Sequence, residues 1–489
     1  MRNAIDSLAF TQDGKRLFLI VALISSLFSL IATLSHPIVS KDSYLYIFTA
    51  NVIISDDFTS AQSYFDWLFF PAIIGFLHQW SGLSLEITAR VLCEVMTAIA
   101  CAFTVDIVRR KYPPATLWAI LAIFALPAFN EYRGDIIREP GSWCFSMGAL
   151  WAMFVFETSC RKCYIWIACF STGLAVLFRP EYLYLFFIFP IHFIFRLPKE
   201  DGKRKIIAVS FFSILVFSIV VFVLAGMNQI IPISRFARFN PELLLSNFTT
   251  FSEQLAVALP FKYAEKDVGI ILFFGFFTYV LYKICKILGI FILPFIMPCH
   301  EQKIKKQWMI LDIAALGYFA ILVIFTFTHF FLSARYVSFL GFLCLPRIAQ
   351  GLKFIVQNFP RSRIYLISVC IVLAISNVVS LSGAKTHVKE AGLWMKNHLS
   401  QESRIYVDEQ RVFYYADWKR FDKNDKTKEE ILTEEGMGNF DYFGFSLKNP
   451  SSEEINRLER NGLTSIARFQ NNKGETFIIF KHSVDVLDY

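Results

Sequence analysis

Charged residues are scarce in this sequence. Of its 489 residues only 18% are Asp, Glu, Lys or Arg, whereas 55% are hydrophobic and 54 are Phe. A soluble domain is usually about 25% charged and about 45–50% apolar, so this composition excludes an ordinary soluble protein. Four stretches carry no charged residue over the ~18 positions that a membrane-spanning helix requires. They cover residues 17–34, 206–227, 313–334 and 364–382.

Other absences narrow the function. No cysteine follows Cys370, and the ten cysteines lie mostly in apolar stretches, so the sequence predicts neither a disulfide framework nor a zinc site. There is no glycine-rich phosphate loop, and therefore no support for direct use of a nucleotide. The net charge of +8 is spread in short basic clusters between apolar runs, which excludes a nucleic-acid partner. No cofactor is predicted, and dependence on a divalent metal is left open.

The charge pattern also predicts an orientation. Alternate connections carry 22 Lys and Arg residues and the remaining connections nine, which predicts a cytoplasmic N-terminus and a C-terminus outside. The fold class is thus an α-helical polytopic membrane protein with about 11 transmembrane helices and a C-terminal soluble α/β domain, in the inner (plasma) membrane. Weaker spans complete the eleven; they cover residues 86–107, 115–130, 140–157, 163–178, 181–195, 268–290 and 336–350.

Two domains are expected. Residues 1–382 form the transmembrane domain, and residues 383–489, where the long apolar runs stop, form an extracytoplasmic (periplasmic) domain. Residues 287–302 are interpreted as a helix end and a cytoplasmic turn; a separate crossing there would reverse the side of the C-terminal domain. Outward loops are expected at residues 36–86, 130–140 and 228–266.

Local patterns suggest the elements of the C-terminal domain. Residues 386–399 have helical spacing, while RIYV and VFYY alternate in the manner of strands. The segment ARFQNNKGETFIIF predicts a hairpin that turns at Asn472, Lys473 and Gly474.

The first outward loop contains the strongest candidate for chemistry. Asp42 follows the first span directly, in SHPIVSKDSYLYI, with Tyr44 close behind. A carboxylate at the membrane face can act as a general base towards an acceptor hydroxyl. Asp-Ser before YLYIFTANVI is equally typical of a helix cap, so a structural role for Asp42 stays open.

Charged residues in the other outward loops are candidates for substrate binding, because charge near a membrane is costly and is retained for a reason. Arg133 and Arg138 could hold a phosphate or neutralise acidic neighbours such as Glu139. Arg179 and Glu181 could form a salt bridge that fixes a helix turn. Within the second span, Arg90 and Glu94 lie one turn apart and could pair with each other. The fifth loop adds Arg335 and Tyr336.

The ordered motifs resemble those of a known superfamily. KDSYLYI, YFDWLFFPAIIGFLHQW, REPGSW, GLAVLFRPEYLYLF, the Ala334–Tyr336 triplet and VKEAGLWMKNHLSQESRIYVDE occur in this order over most of the chain. The set is similar to that of the GT-C membrane glycosyltransferases, specifically the bacterial relatives of dolichyl-phosphate-mannose protein mannosyltransferase and of lipid A aminoarabinose transferase. Ser43 stands where many relatives have a second acidic residue.

The resemblance implies an inverting transfer of a sugar from a polyprenyl-phosphate donor. The acceptor would be lipopolysaccharide, another envelope glycan or a protein, at the outer face of the inner membrane. Asp42 would be the general base, and Arg138, Arg179 and Arg335 would stabilise the leaving phosphate. Tyr44, Arg133, Glu139, Glu181 and Tyr336 complete the expected binding residues. The alternatives are a transporter or flippase of lipid-linked glycans and a non-catalytic membrane subunit.

Overall fold

The computed structural model forms two compact units. The first contains the described residues within 1–32, 90–134 and 138–379, and the second those within 33–89, 135–137 and 380–489. The segment predicted to be the first outward loop and the described part of the C-terminal domain thus belong to the same unit. The structure describes residues 14–35, 38–196, 207, 209–210, 212–221, 240–259, 266–297, 309–379, 385–422 and 428–482. Most of the expected 228–266 loop outside residues 240–259, and the start of the C-terminal domain at 383, lie outside these ranges.

Helices make up the first unit, and the residues of Gly14–Ser35 and Leu85–Lys111 are divided between the two units. Apolar residues dominate them, as the composition predicts. The α-helices are Gly14–Ser35, Leu85–Lys111, Thr116–Ala125, Pro127–Asn130, Glu139–Ser159, Cys163–Phe178, Leu185–Arg196, Phe212–Val221, Pro241–Ala258, Val268–Leu288, Ile292–Ile296, Met309–His329, Ala334–Val337, Phe339–Asn358 and Ser362–Val378. Short 3-10 helices lie at Pro113–Ala115, Pro180–Tyr184 and Gly289–Phe291.

Several of these helices can span a bilayer. Within the described residues, five are long and apolar enough: Gly14–Ser35, Leu85–Lys111, Val268–Ile296, Met309–His329 and Phe339–Asn358. Shorter apolar helices accompany them, including Cys163–Phe178, whose ends coincide with a predicted span. The chain is therefore a mostly helical membrane protein, while the count of eleven spans and their orientation stay predictions.

Two predicted spans are shorter as helices. The 115–130 span is interrupted at Leu126, where the backbone is extended before Pro127 starts a second short helix. Proline has no N–H to donate, so it is tolerated in a first helical turn but not in the middle of a helix. The 313–334 span ends early at His329, and Phe330 has a φ of +53°. Arg335 therefore lies on a separate short helix.

The second unit consists of short helices and one sheet. A four-stranded sheet has the order β1-β2-β4-β3, with β1 parallel to β2 and the other pairs antiparallel. The strands are β1 Ile405–Val407, β2 Tyr442–Lys448, β3 Leu463–Gln470 and β4 Glu475–His482. The helices are Lys41–Ser55, Phe58–Tyr64, Phe69–Ser81, Thr386–His398, Arg411–Tyr415, Lys428–Ile431, Glu434–Met437 and Ser452–Arg460.

The local predictions for this domain have mixed outcomes. The hairpin is confirmed, since β3 and β4 pair antiparallel around Gly474, whose φ is +77°. The predicted helix is also found, as Thr386–His398. The strand prediction for VFYY is wrong, because Arg411–Tyr415 is helical. A run of four apolar residues is too short for its period to distinguish helix from strand.

Candidate functional site

A buried ionic cluster surrounds Arg179 in the first unit. The Arg179 side chain is only 5% exposed, and its Nη1 and Nε donate to Glu139 Oε1 and Glu181 Oε1. Its guanidinium also lies over the ring of Tyr336, 4.3 Å from the centroid. A buried guanidinium requires such partners, because an unpaired charge is costly away from water. Two carboxylates and an aromatic face therefore satisfy Arg179.

Local sequence features bring these side chains together. The Cys163–Phe178 helix ends at Arg179, whose backbone is extended, and Pro180 opens the next turn. Glu139 begins the preceding helix, Glu139–Ser159, which packs against Cys163–Phe178. A Cβ at Gly141 would lie 2.3 Å from the Phe178 ring, so only glycine permits this close approach of the two helices. Glu139 and Arg179 consequently lie within hydrogen-bond reach although they are 40 residues apart.

Arg335 reaches the same cluster from another helix. Its Nε lies 3.4 Å from Glu139 Oε1, and its Nη2 donates to Tyr336 Oη at 3.2 Å. Tyr318 Oη holds the Tyr336 backbone carbonyl oxygen at 2.8 Å. The Arg335 side chain is 22% exposed, far more than that of Arg179. Arg335 is therefore the more accessible of the two arginines.

The cluster has an excess of positive charge. Arg138 is close enough to act electrostatically on Glu139, so three guanidiniums accompany the carboxylates of Glu139 and Glu181, a net charge of +1 for these five side chains. Glu139 Oε2 is buried and has no hydrogen-bond partner among the described residues. The structure thus brings together six of the residues singled out from the sequence: Arg138, Glu139, Arg179, Glu181, Arg335 and Tyr336.

Arg133 lies apart from this cluster. Its Nη1 donates to Ser25 O, Ser25 Oγ and Ser29 Oγ at 2.9–3.0 Å, and its Nε donates to Asn130 Oδ1 at 2.6 Å. Ser25 and Ser29 are one turn apart on the first helix, so Arg133 fastens that helix to its neighbours. Arg90 Nη1 donates to Gly134 O at 2.9 Å, and its pairing with Glu94 stays a prediction.

Asp42 belongs to the second unit, where it lies in the first turn of the Lys41–Ser55 helix. The cap of this helix is Ser40, whose Oγ accepts from Ser43 N at 3.2 Å. Asp42 is half-buried and occupies the second helical position, where the helix dipole favours a carboxylate. The cap that the sequence suggested is thus real, but Ser40 and not Asp42 provides it.

Tyr44 connects this helix to the C-terminal domain. Its hydroxyl donates to Arg420 O, and its ring packs against Tyr414 and Phe421 at centroid distances of 5.6 and 5.5 Å. Burial raises the pKa of Tyr44 above its ordinary value, so the phenol remains a hydrogen-bond donor. Tyr44 therefore makes a contact within the protein in this structure.

The segment just before Asp42 is held by the short Arg411–Tyr415 helix. Val39 N donates to Tyr415 Oη at 2.9 Å, and Arg411 Nη1 donates to Val39 O at 3.3 Å. Glu409 accepts from Arg411 Nε and Nη2 at 2.9 and 2.8 Å. Burial would raise the pKa of Glu409, but its bonds from Arg411 and the nearby charges hold that pKa below its ordinary value. No local sequence pattern marks Arg411 and Tyr415 as site components, because the contacts join positions more than 370 residues apart.

The carboxyl group of Asp408, the residue before Glu409, has a raised pKa. Burial raises its pKa to about 7; two hydrogen bonds from Ser446 N oppose the rise and the charge of Glu409 adds to it. Lys428 and Lys41 lower the pKa.

Among the side chains that the structure describes, no group of three or more His, Cys, Asp or Glu could hold a metal ion, and metal dependence is a matter for experiment.

A helical bundle with span-length apolar helices, a buried ionic cluster and a small mixed-sheet domain define a polytopic membrane protein. No protein-family model matches the chain, and no curated protein matches it. Solved structures do match. Two are of ArnT from Cupriavidus metallidurans, one in the apo state (11% identity, 96% of this chain and 97% of that chain, TM-score 0.45). The other is bound to undecaprenyl phosphate (12% identity, 96% and 98%, TM-score 0.47).

A third match is the mycobacterial arabinofuranosyltransferase AftD, in a mutant form (11% identity, 96% of this chain and 42% of that chain, TM-score 0.46). ArnT and AftD are both GT-C membrane glycosyltransferases, the superfamily that the motif order resembles. At such identities and with TM-scores below 0.5, the similarity assigns no activity, which has to be argued from the residues of this chain.

Proposed function

We propose that this chain is a membrane glycosyltransferase that moves a sugar from a polyprenyl-phosphate donor to an envelope acceptor at the outer face of the inner membrane. One observation carries the proposal: a net positive cluster is buried among apolar helices, with the accessible Arg335 at its edge. Apolar helices suit a polyprenyl chain, and a guanidinium suits a phosphate through paired N–H donors.

The arginines of the cluster have different roles in this proposal. Arg179 already serves two carboxylates and is nearly inaccessible, so it builds the cluster. Arg335 interacts with Glu139 at the longer distance of 3.4 Å and is more exposed, so it binds the donor phosphate, with Arg138 adding positive charge. The Glu139 side chain is 3% exposed, even less than that of Arg179, so its carboxylate orients Arg179 and Arg335.

The proposed reaction is a single displacement. Asp42 takes the proton of the acceptor hydroxyl while the acceptor oxygen attacks the anomeric carbon of the donor. The bond between that carbon and the phosphate oxygen breaks, and the phosphate leaves with the electron pair, stabilised by Arg335. Because the attacking and leaving oxygens are on opposite faces of the sugar, the configuration inverts.

Mass spectrometry of envelope glycans tests this function. A deletion strain is complemented with the wild type, with Asp42→Asn, or with the control Asp56→Asn, an exposed carboxylate at the other end of the same helix. We expect one sugar to be missing from the deletion strain and from Asp42→Asn, and to be present with Asp56→Asn at equal protein levels. Full restoration by Asp42→Asn would remove the general base and favour a transporter or a non-catalytic subunit.

A further inference from the structure

We propose that Arg411 and Tyr415 of the C-terminal domain are positioning residues for Asp42, an inference that rests on the proposed general-base role of Asp42. Asp42 is three residues after Val39. The C-terminal domain forms hydrogen bonds with the backbone of Val39. Neither Arg411 nor Tyr415 is expected to touch the substrate.

The C-terminal domain binds both backbone polar groups of Val39. The Val39 N–H is bound by Tyr415 Oη at 2.9 Å and the Val39 carbonyl by Arg411 Nη1 at 3.3 Å. Arg411 and Tyr415 are four positions apart, so their side chains lie on the same face of their short helix. Val39 precedes the helix cap, and its backbone groups therefore have no partners within the Lys41–Ser55 helix. Two separate bonds fix the position and the direction of the chain where this helix begins.

A buried ion pair holds the Arg411 side chain in place. Glu409 binds Arg411 through two parallel bonds of 2.9 and 2.8 Å, and both side chains are at most 7% exposed. Such a bidentate pair fixes the orientation of the guanidinium. Glu409 Oε2 also lies 3.5 Å from Nζ of Lys41, the residue before Asp42. The same carboxylate thus orients Arg411 and holds a direct neighbour of Asp42.

Three further hydrogen bonds fix the start of the helix on its other side. Ser40 Oγ and Ser43 Oγ are 2.7 Å apart, and Ser43 Oγ is 3.1 Å from both the N and the O atoms of Ile136. Asp42 therefore lies between two residues held by hydrogen bonds, Val39 before it and Ser43 after it. Because misplacement of a catalytic group by about 1 Å can cost about 10²-fold in rate, loosening one side is expected to slow the transfer step.

Tyrosine and arginine variants with matched controls test the proposal in the full-length protein. Tyr415→Phe removes the hydroxyl that binds Val39, whereas Tyr414→Phe removes a neighbouring hydroxyl that binds Glu86. Arg411→Lys keeps the charge but loses the two parallel hydrogen bonds to Glu409. Arg404→Lys, its control, alters an exposed ion pair with Asp441 in the same domain. If Arg411→Lys accumulates poorly, Tyr415→Phe, which leaves the ion pair intact, decides.

Three readouts are compared: glycan product in the complemented strain, affinity of the purified protein for undecaprenyl phosphate, and amide hydrogen exchange of the peptide covering residues 38–45. In Tyr415→Phe and Arg411→Lys we expect about tenfold less product, faster exchange in this peptide and lipid affinity within about twofold of the wild type. Both controls should match the wild type in all three readouts.

Normal product in both test variants at equal protein level would overturn the positioning role. So would a parallel loss of product and lipid affinity, because that pattern indicates general damage to the fold. Full product from Asp42→Asn would instead overturn the proposed function, whatever the Arg411 and Tyr415 variants show.

Discussion

Arg133, Arg179 and Arg335 occupy similar places in the sequence, each in a short connection between apolar runs, but their surroundings differ. Arg133 binds serine and asparagine oxygens, Arg179 binds two carboxylates, and Arg335 shares one carboxylate and is partly exposed. Sequence position alone identifies all three as candidates, because charge near a membrane is rare. It does not separate them, because the partners come from helices far along the chain.

Because their surroundings differ, substitutions of Arg179 and of Arg335 are expected to have different effects. Arg179→Gln leaves Glu139 and Glu181 without their main cation, and breaking a buried pair in this way costs about 3–5 kcal/mol. We expect a marked drop in the amount of folded protein and in its thermal midpoint in detergent. Arg335→Gln should leave both near the wild type and weaken binding of undecaprenyl phosphate at least about tenfold, since it removes the proposed phosphate contact. The opposite pattern would exchange the two assignments.

Asp408 predicts a pH-dependent stability. Its pKa rises from the ordinary 3.8 to about 7 on folding, mainly through burial. Between these values the folded chain binds a proton that the unfolded chain does not, so the free energy of unfolding falls as the pH rises and is constant above about 7. Asp408→Asn cannot ionise. Its thermal midpoint relative to the wild type should therefore increase from about pH 5 to about pH 8.

Asp441→Asn is the control for this measurement. A hydrogen bond and the charge of Arg404 lower the pKa of Asp441, so it is ionised in both folded and unfolded chains over the same pH range. The midpoint difference between this variant and the wild type should not change with pH. A flat profile for Asp408→Asn as well would show that Asp408 does not titrate in this range.

At the scale of elements, length decides how well sequence predicts structure. The 163–178 span coincides with the helix Cys163–Phe178 because sixteen uncharged, mostly apolar residues lie between basic residues at both ends. VFYY is helical because Arg411 and Tyr415 on one helical face meet Val39, a contact that no local pattern reveals. Likewise β2 was missed, and its partners β1 and β4 lie elsewhere in the chain.

Close helix packing yields a prediction at this scale. A Cβ on Gly351, in the Phe339–Asn358 helix, would lie 1.9 Å from the Pro294 carbonyl oxygen. Backbone cannot move aside as a flexible side chain can, so Gly351→Ala should separate this helix from Ile292–Ile296 and lower the yield of monodisperse protein. Gly275→Ala is the control, because a Cβ there has no described atom within 4 Å and alanine favours a helix. Equal yields would contradict the close contact.

At the scale of the whole molecule, sidedness follows from sequence statistics and not from the fold. The excess of 22 over nine basic residues predicts that the C-terminal domain is outside the cytoplasm. A periplasm-active reporter fused after Tyr489 should therefore be active and a cytoplasm-active one silent. A reporter after Arg363, in a connection predicted to be cytoplasmic, is the reference. Cytoplasmic activity after Tyr489 would mean that residues 287–302 cross the membrane.

The bond between Val39 and Arg411 joins positions 372 residues apart. A ribosome that adds about 5–20 residues per second needs on the order of tens of seconds to make the chain between them. Throughout that interval the beginning of the Lys41–Ser55 helix lacks its hydrogen bonds from Arg411 and Tyr415. If Asp42 is the general base and depends on these bonds, a nascent chain would carry the base but transfer sugar about tenfold more slowly until residues 411–415 have been made and folded.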